Sequence, residues 1–334
     1  MICLYLLNIY SVKYDLWKSV PNIFLFITVV ALTFGPLLYF YVTSLLGRKI
    51  SRKQLLFHSI PIVLTFLIIL PFAFRDNSEK WLYFTDKFIN LPINLAIGTF
   101  LQYLSAPIYF IWIISILRQH KTIIKQTHSS IDKISLNWMR KLLYGVASVW
   151  IVDCLFVLSI NFTQFEIYYG ISIIIKYTFI FLMILLGFYG INQGYIFSSN
   201  HKSDHKNQKE NNDAKKRIPD ETIEEYTEAL LQFMQNEKIY LNSEIRIQDL
   251  AIGVNMPVHI LSHVINSNLN QNFYDFINSY RIDEVKKRLH DKDYANYTIV
   301  AIANDCGFNS KATFNRLFKQ YTGVTPSQYK KASP

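Results

Sequence analysis

The chain has 334 residues, 51% of them hydrophobic, and a formal net charge of +10, a length suited to about two domains. Cut after Ser198, it separates into 198 residues with 23 charges and 136 residues with 35. So apolar a first part excludes a single soluble enzyme, a secreted disulfide scaffold and a disordered chain.

Residues 1–22 open with MICLYLLNIY, which is apolar but too short to span a bilayer. A cleaved signal needs a basic start and a small-residue cleavage site, and both are missing. The stretch reads either as an interfacial segment or as the remainder of a longer first helix, in which case a further N-terminal span is missing. Five segments then match the roughly 20 apolar residues of a membrane-crossing helix: 23–46, 54–74, 91–117, 142–162 and 168–197. Core helices of soluble proteins average about three turns, and no polar face recurs in these runs. Residues 1–198 are therefore expected to form an integral membrane region in contact with the lipid bilayer. Within it, the Gly35-Pro36 step and His58 read as kink and packing features.

Basic residues of the short loops set the orientation. The loop 47–53 holds Arg48, Lys49, Arg52 and Lys53 with no acid. The loop 118–141 holds Arg118, Lys121, Lys125, Lys133, Arg140 and Lys141 against Asp132 alone. Both belong on the cytoplasmic side, whereas the loops 75–90 and 163–167 and residues 1–22 balance their charges and face outward. This predicts a multi-pass protein of the bacterial cell membrane, N-terminus outside, with everything after residue 198 in the cytoplasm.

Two charges lie inside the apolar runs, Asp153 and Lys176. They flank the midpoint of the turn 163–167 by 12 and 11 residues, roughly 17 Å of helix each at 1.5 Å per residue. Matched depth on consecutive antiparallel helices favours pairing, because an unpaired charge in hydrocarbon is costly. A structural ion pair is the plainer reading and a signal-sensing pair the sharper one. The three cysteines, Cys3, Cys154 and Cys306, are odd in number and scattered, which supports neither a disulfide framework nor a zinc site; Cys154 and Cys306 read as small buried hydrophobes.

Residues 199–220, SNHKSDHKNQKENNDAKKRIPD, lack aromatics and carry six basic against four acidic residues. This composition reads as a flexible cytoplasmic linker, with an end-to-end distance of roughly 25 Å. His201 and His205 sit four apart, but no further ligand candidate frames them. Neither a metal, a cofactor nor a catalytic set is expected anywhere in the chain.

From Glu221 onward the apolar residues follow a helical period, and an internal repeat emerges. One copy is LAIGVNMPVHILSHVIN from Leu250 to Asn266, the other IANDCGFNSKATFNRLFK from Ile302 to Lys319. In each, a short helix is expected to end at a residue that tolerates left-handed φ, Asn255 or Gly307. An apolar pivot follows, Met256 or Phe308, and then a second helix. Ser310 suits the cap of that helix in the second copy, and Pro257 suits its first turn in the first copy. These are two helix-turn-helix units. Residues 272–289 between them read as one amphipathic linking helix of about 27 Å, close to the roughly 34 Å between successive major-groove faces.

Residues 221–334 resemble the DNA-binding domain of AraC-type transcription regulators. The resemblance is carried by Gly307, Phe308, Phe314, Arg316, Phe318, Lys319, Gly323, Thr325, Pro326 and Tyr329, and by the stretch 261–289. It implies a seven-helix domain that binds double-stranded promoter DNA; with the multi-span helical region before it, which the resemblance does not cover, the chain is expected to be all-α. By motif position, Lys311, Ala312, Asn315 and Arg316 would face bases from the second recognition helix, with Lys319 and Ser310 at phosphates. His259, Ser262 and His263 are the equivalents in the first. There His263 stands where arginine is frequent, and neutral histidine cannot reproduce arginine's two-point contact with guanine. The second unit is therefore expected to carry more of the affinity. Phe314, Phe318, Leu261, Ile265, Pro326 and Tyr329 are assigned to packing.

The reading that follows is a membrane-anchored, sequence-specific transcription regulator and not an enzyme, responding to an unidentified signal at the membrane region. RNA polymerase and a second copy of the chain are its candidate further partners. The alternative is a membrane protein whose helix-turn-helix domain docks protein instead of DNA, supported by 12 Lys/Arg against 13 Asp/Glu in residues 221–334. The net +10 arises mainly from the two inward loops, ten basic residues against one acidic, and records membrane orientation more than DNA affinity. If Asp153 and Lys176 pair, exchanging both charges restores the membrane abundance and thermal stability in detergent that either single reversal lowers. A double variant no better than the singles overturns the pairing.

Overall fold

The computed structural model describes residues 29–80, 92–158, 165–204 and 220–332, with scattered positions before residue 23, and the backbone alone at 165–169, 192–204 and 220–221. Most of residues 1–22, the end of the outward loop 75–90, the start of the turn 163–167, and the linker from His205 to 219 lie outside the described residues. What is described is helical, apart from turns and one isolated bridge between His128 and Arg246. The chain divides into two compact units, one formed by residues 1–117 and 136–202, the other by 118–135 and 203–334.

The first unit holds α1 (Phe34–Leu45), α2 (Arg52–Ala73), most of α3 (Ile93–Thr127), α4 (Asn137–Leu158) and most of α5 (Phe165–Asp204). Among the described residues, four helical segments here are long and apolar enough to cross a membrane: α2, α3, α4 and Gly170–Ile191 of α5. The described part of the first expected span is shorter, an apolar helix within Val29–Leu45. It breaks at a turn before Phe34, and the Gly35-Pro36 step opens α1 instead of kinking its interior. A Cβ on Gly35 would run into the ring of Tyr109, so the glycine permits close helix approach. α2 starts where Ser51 and Gln54 cap one another reciprocally, satisfying two amides that the helix itself leaves open.

The core of this unit is built from Tyr39, Val42, Ile113, Leu117, Met139 and Leu143 with their neighbours. His58 is buried in it, its Nδ1 2.7 Å from the hydroxyl of Tyr109 and its ring against Tyr39 and Trp112. That is the packing role expected of it. Large apolar side chains point outward all along the long helices, among them Leu56, Phe100, Ile111, Leu155, Ile174 and Phe181. Tyr103 donates a hydrogen bond of 3.0 Å to Asp153.

Among the described residues the second unit contains, besides the end of α3, seven α-helices: α6 (Asp220–Glu237), α7 (Ile247–Gly253), α8 (Val258–His263), α9 (Phe273–His290), α10 (Ile299–Asp305), α11 (Lys311–Thr322) and α12 (Pro326–Lys331). Most starts have a side-chain cap: Asn272 for α9, Thr298 for α10, Ser310 for α11 and Thr325 for α12. α9 was expected to be amphipathic, yet it buries residues around most of its circumference, from Phe273 and Phe276 to Asn278, Arg281, Ile282 and Val285. The reason is its position as a shared wall. Phe273, Phe276 and Ile277 face a core with Leu250, Leu261 and Ile265, whereas Tyr274, Ile282, Val285 and Leu289 face a second core with Ile302, Phe314 and Phe318.

Residues 118–135 belong to this second unit, although their composition reads as a plain inward loop. α3 does not stop at the end of its apolar run but continues to Thr127. Ile124 and Ile131 then bury themselves in the second core beside Phe314 and Phe318, each worth about 1.5–3 kcal/mol on full burial. At the other end of the membrane-type segment, α5 runs on to Asp204, into the stretch that composition assigns to the linker.

The pivot of the second helix-turn-helix is tightly enclosed. Gly307 has φ 91°, and a Cβ there would lie 2.8 Å from both Nε of Arg281 and the carbonyl of Tyr240. Gly307→Ala is expected to destabilise the second unit by at least about 1–2 kcal/mol, the usual cost of the left-handed conformation for a residue with a Cβ. Cys306 is fully buried next to it, and burial pushes its thiol up to about 12. Faster maleimide labelling of Cys306 under mild denaturant measures the loss; an unchanged rate contradicts it.

Candidate nucleic-acid interface

Both helix-turn-helix units close through the same hydrogen bonds. In the first, Met256 N donates to Ala251 O at 2.9 Å and Asn255 N to Ile252 O at 3.1 Å; in the second, Phe308 N donates to Ala303 O at 3.0 Å and Gly307 N to Asn304 O at 2.9 Å. A residue with positive φ makes each turn possible, Asn255 at 53° and Gly307 at 91°. This is a helix end in which the chain reverses over a left-handed residue and reuses the last carbonyls. The apolar pivots Met256 and Phe308 are buried behind it, so the internal repeat extends to the backbone geometry.

The second helices differ. α11 is a regular 12-residue helix, capped at Ser310, whose hydroxyl accepts from Thr313 N at 3.3 Å, and closed by Gly323 at φ 80°. Phe314, Leu317 and Phe318 are buried, while Lys311, Ala312, Asn315, Arg316 and Lys319 are exposed. These positions recur at three- and four-residue steps, so the exposed set forms a single outer face. α8 has only six residues before a π-turn takes over from Val264 to Asn268. Pro257 sits at its cap position, one residue ahead of its expected place. His259 and His263 are exposed and Ser262 half-buried, while Leu261 and Ile265 are core residues. Asn266 donates to Ser262 Oγ at 3.0 Å, and Ser267 lies 3.2 Å from His263 Nδ1.

Arg316 is held at both guanidinium ends. Its NH2 donates to the hydroxyl of Tyr274 at 3.1 Å and its NH1 to Gln320 Oε1 at 3.4 Å. Pro326 is buried and Tyr329 packs edge-on against Phe318 at 5.4 Å, both as expected of packing residues.

A residue that motif reading passed over organises the site. Arg281 on α9 is fully buried, with Nε donating to Tyr240 O at 2.7 Å and NH2 to Asn242 O at 2.7 Å. NH2 also reaches Ser129 Oγ at 3.1 Å, and NH1 reaches Asn278 Oδ1 at 3.3 Å. Its guanidinium lies 5.9 Å from the ring centre of Phe308. Burial lowers its pKa to about 10, so the cation persists at neutral pH. A charge in the middle of a helix otherwise read as amphipathic was the available signal.

The family match lies in this unit. Residues 250–332 match the profile of a helix-turn-helix domain family. The chain is 32% identical over 97 residues to an uncharacterised HTH-type transcriptional regulator of Staphylococcus aureus (strain COL), covering 29% of this chain and 13% of the relative. It is 29% identical over 86 residues to the raffinose operon transcriptional regulatory protein RafR of Pediococcus pentosaceus, covering 26% of this chain and 30% of RafR. The chain thus spans less than a third of the length of these relatives. No solved structure matches. The C-terminal unit contains a helix-turn-helix domain of the AraC type, and its relatives are named as transcriptional regulators.

Arg316→Ala is expected to weaken specific DNA binding by about tenfold or more, since a two-point arginine–guanine contact is worth about 1–3 kcal/mol. His263→Ala is expected to cost less. Quantitative footprinting decides, and the reverse order overturns the assignment of base contacts to α11.

Proposed function

We propose that the chain is a membrane-anchored, sequence-specific DNA-binding transcription regulator. Its AraC-type domain takes double-stranded promoter DNA in the cytoplasm, and its apolar helices cross the bacterial cell membrane in several passes with the N-terminus outside. The observation that carries this reading is the pair of matching helix-turn-helix turns, one of which presents Lys311, Asn315, Arg316 and Lys319 on one exposed face. α9, with 18 residues between the two units, spans about 27 Å, which suits two recognition helices in successive major-groove segments. Four helices of membrane-crossing length and composition support the anchor, and the basic loops 47–53 and 118–141 support the orientation. In this arrangement residues 1–198 sense a signal, 199–220 link, and 221–334 bind DNA.

The docking-module reading rests on the slight acidic excess of residues 221–334. The segment 118–135, which joins that unit, adds Arg118, Lys121, Lys125 and Lys133 against Asp132 and removes the excess. DNA binding is the better supported use of this surface.

The full chain in lipid nanodiscs is the proper test object, because the second unit draws core residues from 118–135. Selection from a randomised duplex pool should enrich one recurrent sequence, with binding that weakens steeply as salt rises. Enrichment of no sequence overturns the reading. Cysteine labelling from either side of intact cells should reach residue 49 only from the cytoplasm; access from outside overturns the orientation.

A further inference from the structure

The segment after the third apolar helix lies across the DNA-binding unit as a strap. Its anchor is apolar, with Ile124 and Ile131 buried in the core that carries Phe314 and Phe318. Between them Ser129 is buried, its N–H donating to Ile245 O at 3.2 Å and its carbonyl accepting from Asn278 Nδ2 at 3.1 Å. Its hydroxyl meets the guanidinium of Arg281, the group that also holds the loop before α7. Lys125 pairs with Asp275 at 3.4 Å and lies 5.0 Å from the ring centre of Tyr274.

One strap contact reaches the face proposed to read DNA, and the strap also lies against Tyr274 of α9, a neighbour of that face. Asp132 Oδ1 accepts from the hydroxyl of Thr313 at 2.7 Å, in the first turn of α11. A helix N-terminus is a place where amides and hydroxyls meet DNA phosphates, so the carboxylate puts a negative charge where an incoming phosphate would approach. Beside it, Tyr274 of α9 lies against Lys125 of the strap and accepts from Arg316. The strap is continuous with α3, which runs unbroken from its apolar segment to Thr127.

We propose that residues 118–135 form an inhibitory strap: docked, it occupies the start of the second recognition helix; released through α3, it frees that helix end for DNA. The proposal rests on the DNA-binding reading above. It gives the membrane region a covalent route to the recognition helix that does not pass through the linker. The sequence signal, invisible against the basic loop around it, is the set Ile123, Ile124, Ile131 and Ile134 in an otherwise polar stretch.

A reversible clasp tests it. With Cys3 and Cys154 changed to serine, Asp132→Cys and Thr313→Cys are introduced together into the full chain in nanodiscs. Oxidation should join the two cysteines in high yield, read by peptide mass. The oxidised protein should bind selected duplexes about tenfold more weakly than the reduced one, within the usual range of coupling between sites, and reductant should restore binding. Thr313→Val in the otherwise native chain leaves every charge in place while removing the clasp, and should tighten binding. Failure to cross-link overturns docking. Equal affinity in both redox states overturns inhibition, and tighter binding when oxidised makes the strap part of the DNA-contacting surface instead. If the reduced and native chains retain no duplex at all, the DNA-binding reading falls and inhibition falls with it, whereas cross-link yield still decides whether the strap docks.

Discussion

The second unit depends on one buried cation. Taking a guanidinium out of water is costly unless its donors are met, and Arg281 meets them almost entirely with carbonyl and hydroxyl oxygens instead of a carboxylate. Those oxygens come from distant parts of the chain: Tyr240 and Asn242 before α7, Ser129 in the strap, and Asn278 on its own helix. A single side chain thereby determines where the loop before the first helix-turn-helix, the central helix and the strap meet. Gly307 is part of the same arrangement, because any Cβ there would collide with Nε of Arg281 and the carbonyl it bonds. The glycine that makes the second turn possible is also the residue that lets the cation sit beneath it.

Around this point the two helix-turn-helix units are equal in their turns and unequal in their recognition helices. The turns share the same pair of hydrogen bonds over a left-handed residue. α11 is regular, capped at both ends and carries arginine and lysine on its outer face, whereas α8 gives way to a π-turn after six residues. A wider turn changes the angular spacing of side chains, so the outer residues of the first unit do not repeat those of the second. α9 holds the two units at a set separation because it belongs to both cores at once.

The first unit follows a different solvent logic. Its interior is aromatic and aliphatic, with His58 enclosed by Tyr39, Tyr109 and Trp112, and its exterior carries large apolar side chains along the long helices. Prolines 61, 71 and 107 lie within helices α2 and α3, a feature that neighbouring helices accommodate in membrane-type packing. α3 passes from this apolar unit into the segment 118–135 without a break in the helix before Thr127.

Much of this was legible in the residues. Periodicity and the repeat placed both helix-turn-helix units, the left-handed tolerance of Asn255 and Gly307 located their turns, and Ser310 marked the start of α11. Each of these is a local property, set by φ preferences, capping groups and the spacing of apolar side chains. The face of α11 was equally local, since a three- to four-residue step assigns Phe314 and Phe318 inward and Lys311 and Arg316 outward. Long apolar runs announced the membrane-type helices, although the described part of the first is shorter than its run.

Tertiary structure alone decided the partners of residues whose composition is ambiguous. Arg281 lies on a helix whose periodicity reads as amphipathic, and it is buried because two cores close on that helix from opposite sides. The segment 118–135 looked like a basic loop, because five charged residues, four of them basic, mask its four isoleucines, and burial is settled by where a side chain finds a cavity of the right shape. The meeting of Asp132 with Thr313 joins positions 181 residues apart, and no local preference encodes such a contact. What the chain by itself determines is which helices and turns form; which of them touch is decided when apolar faces compete for the same cores.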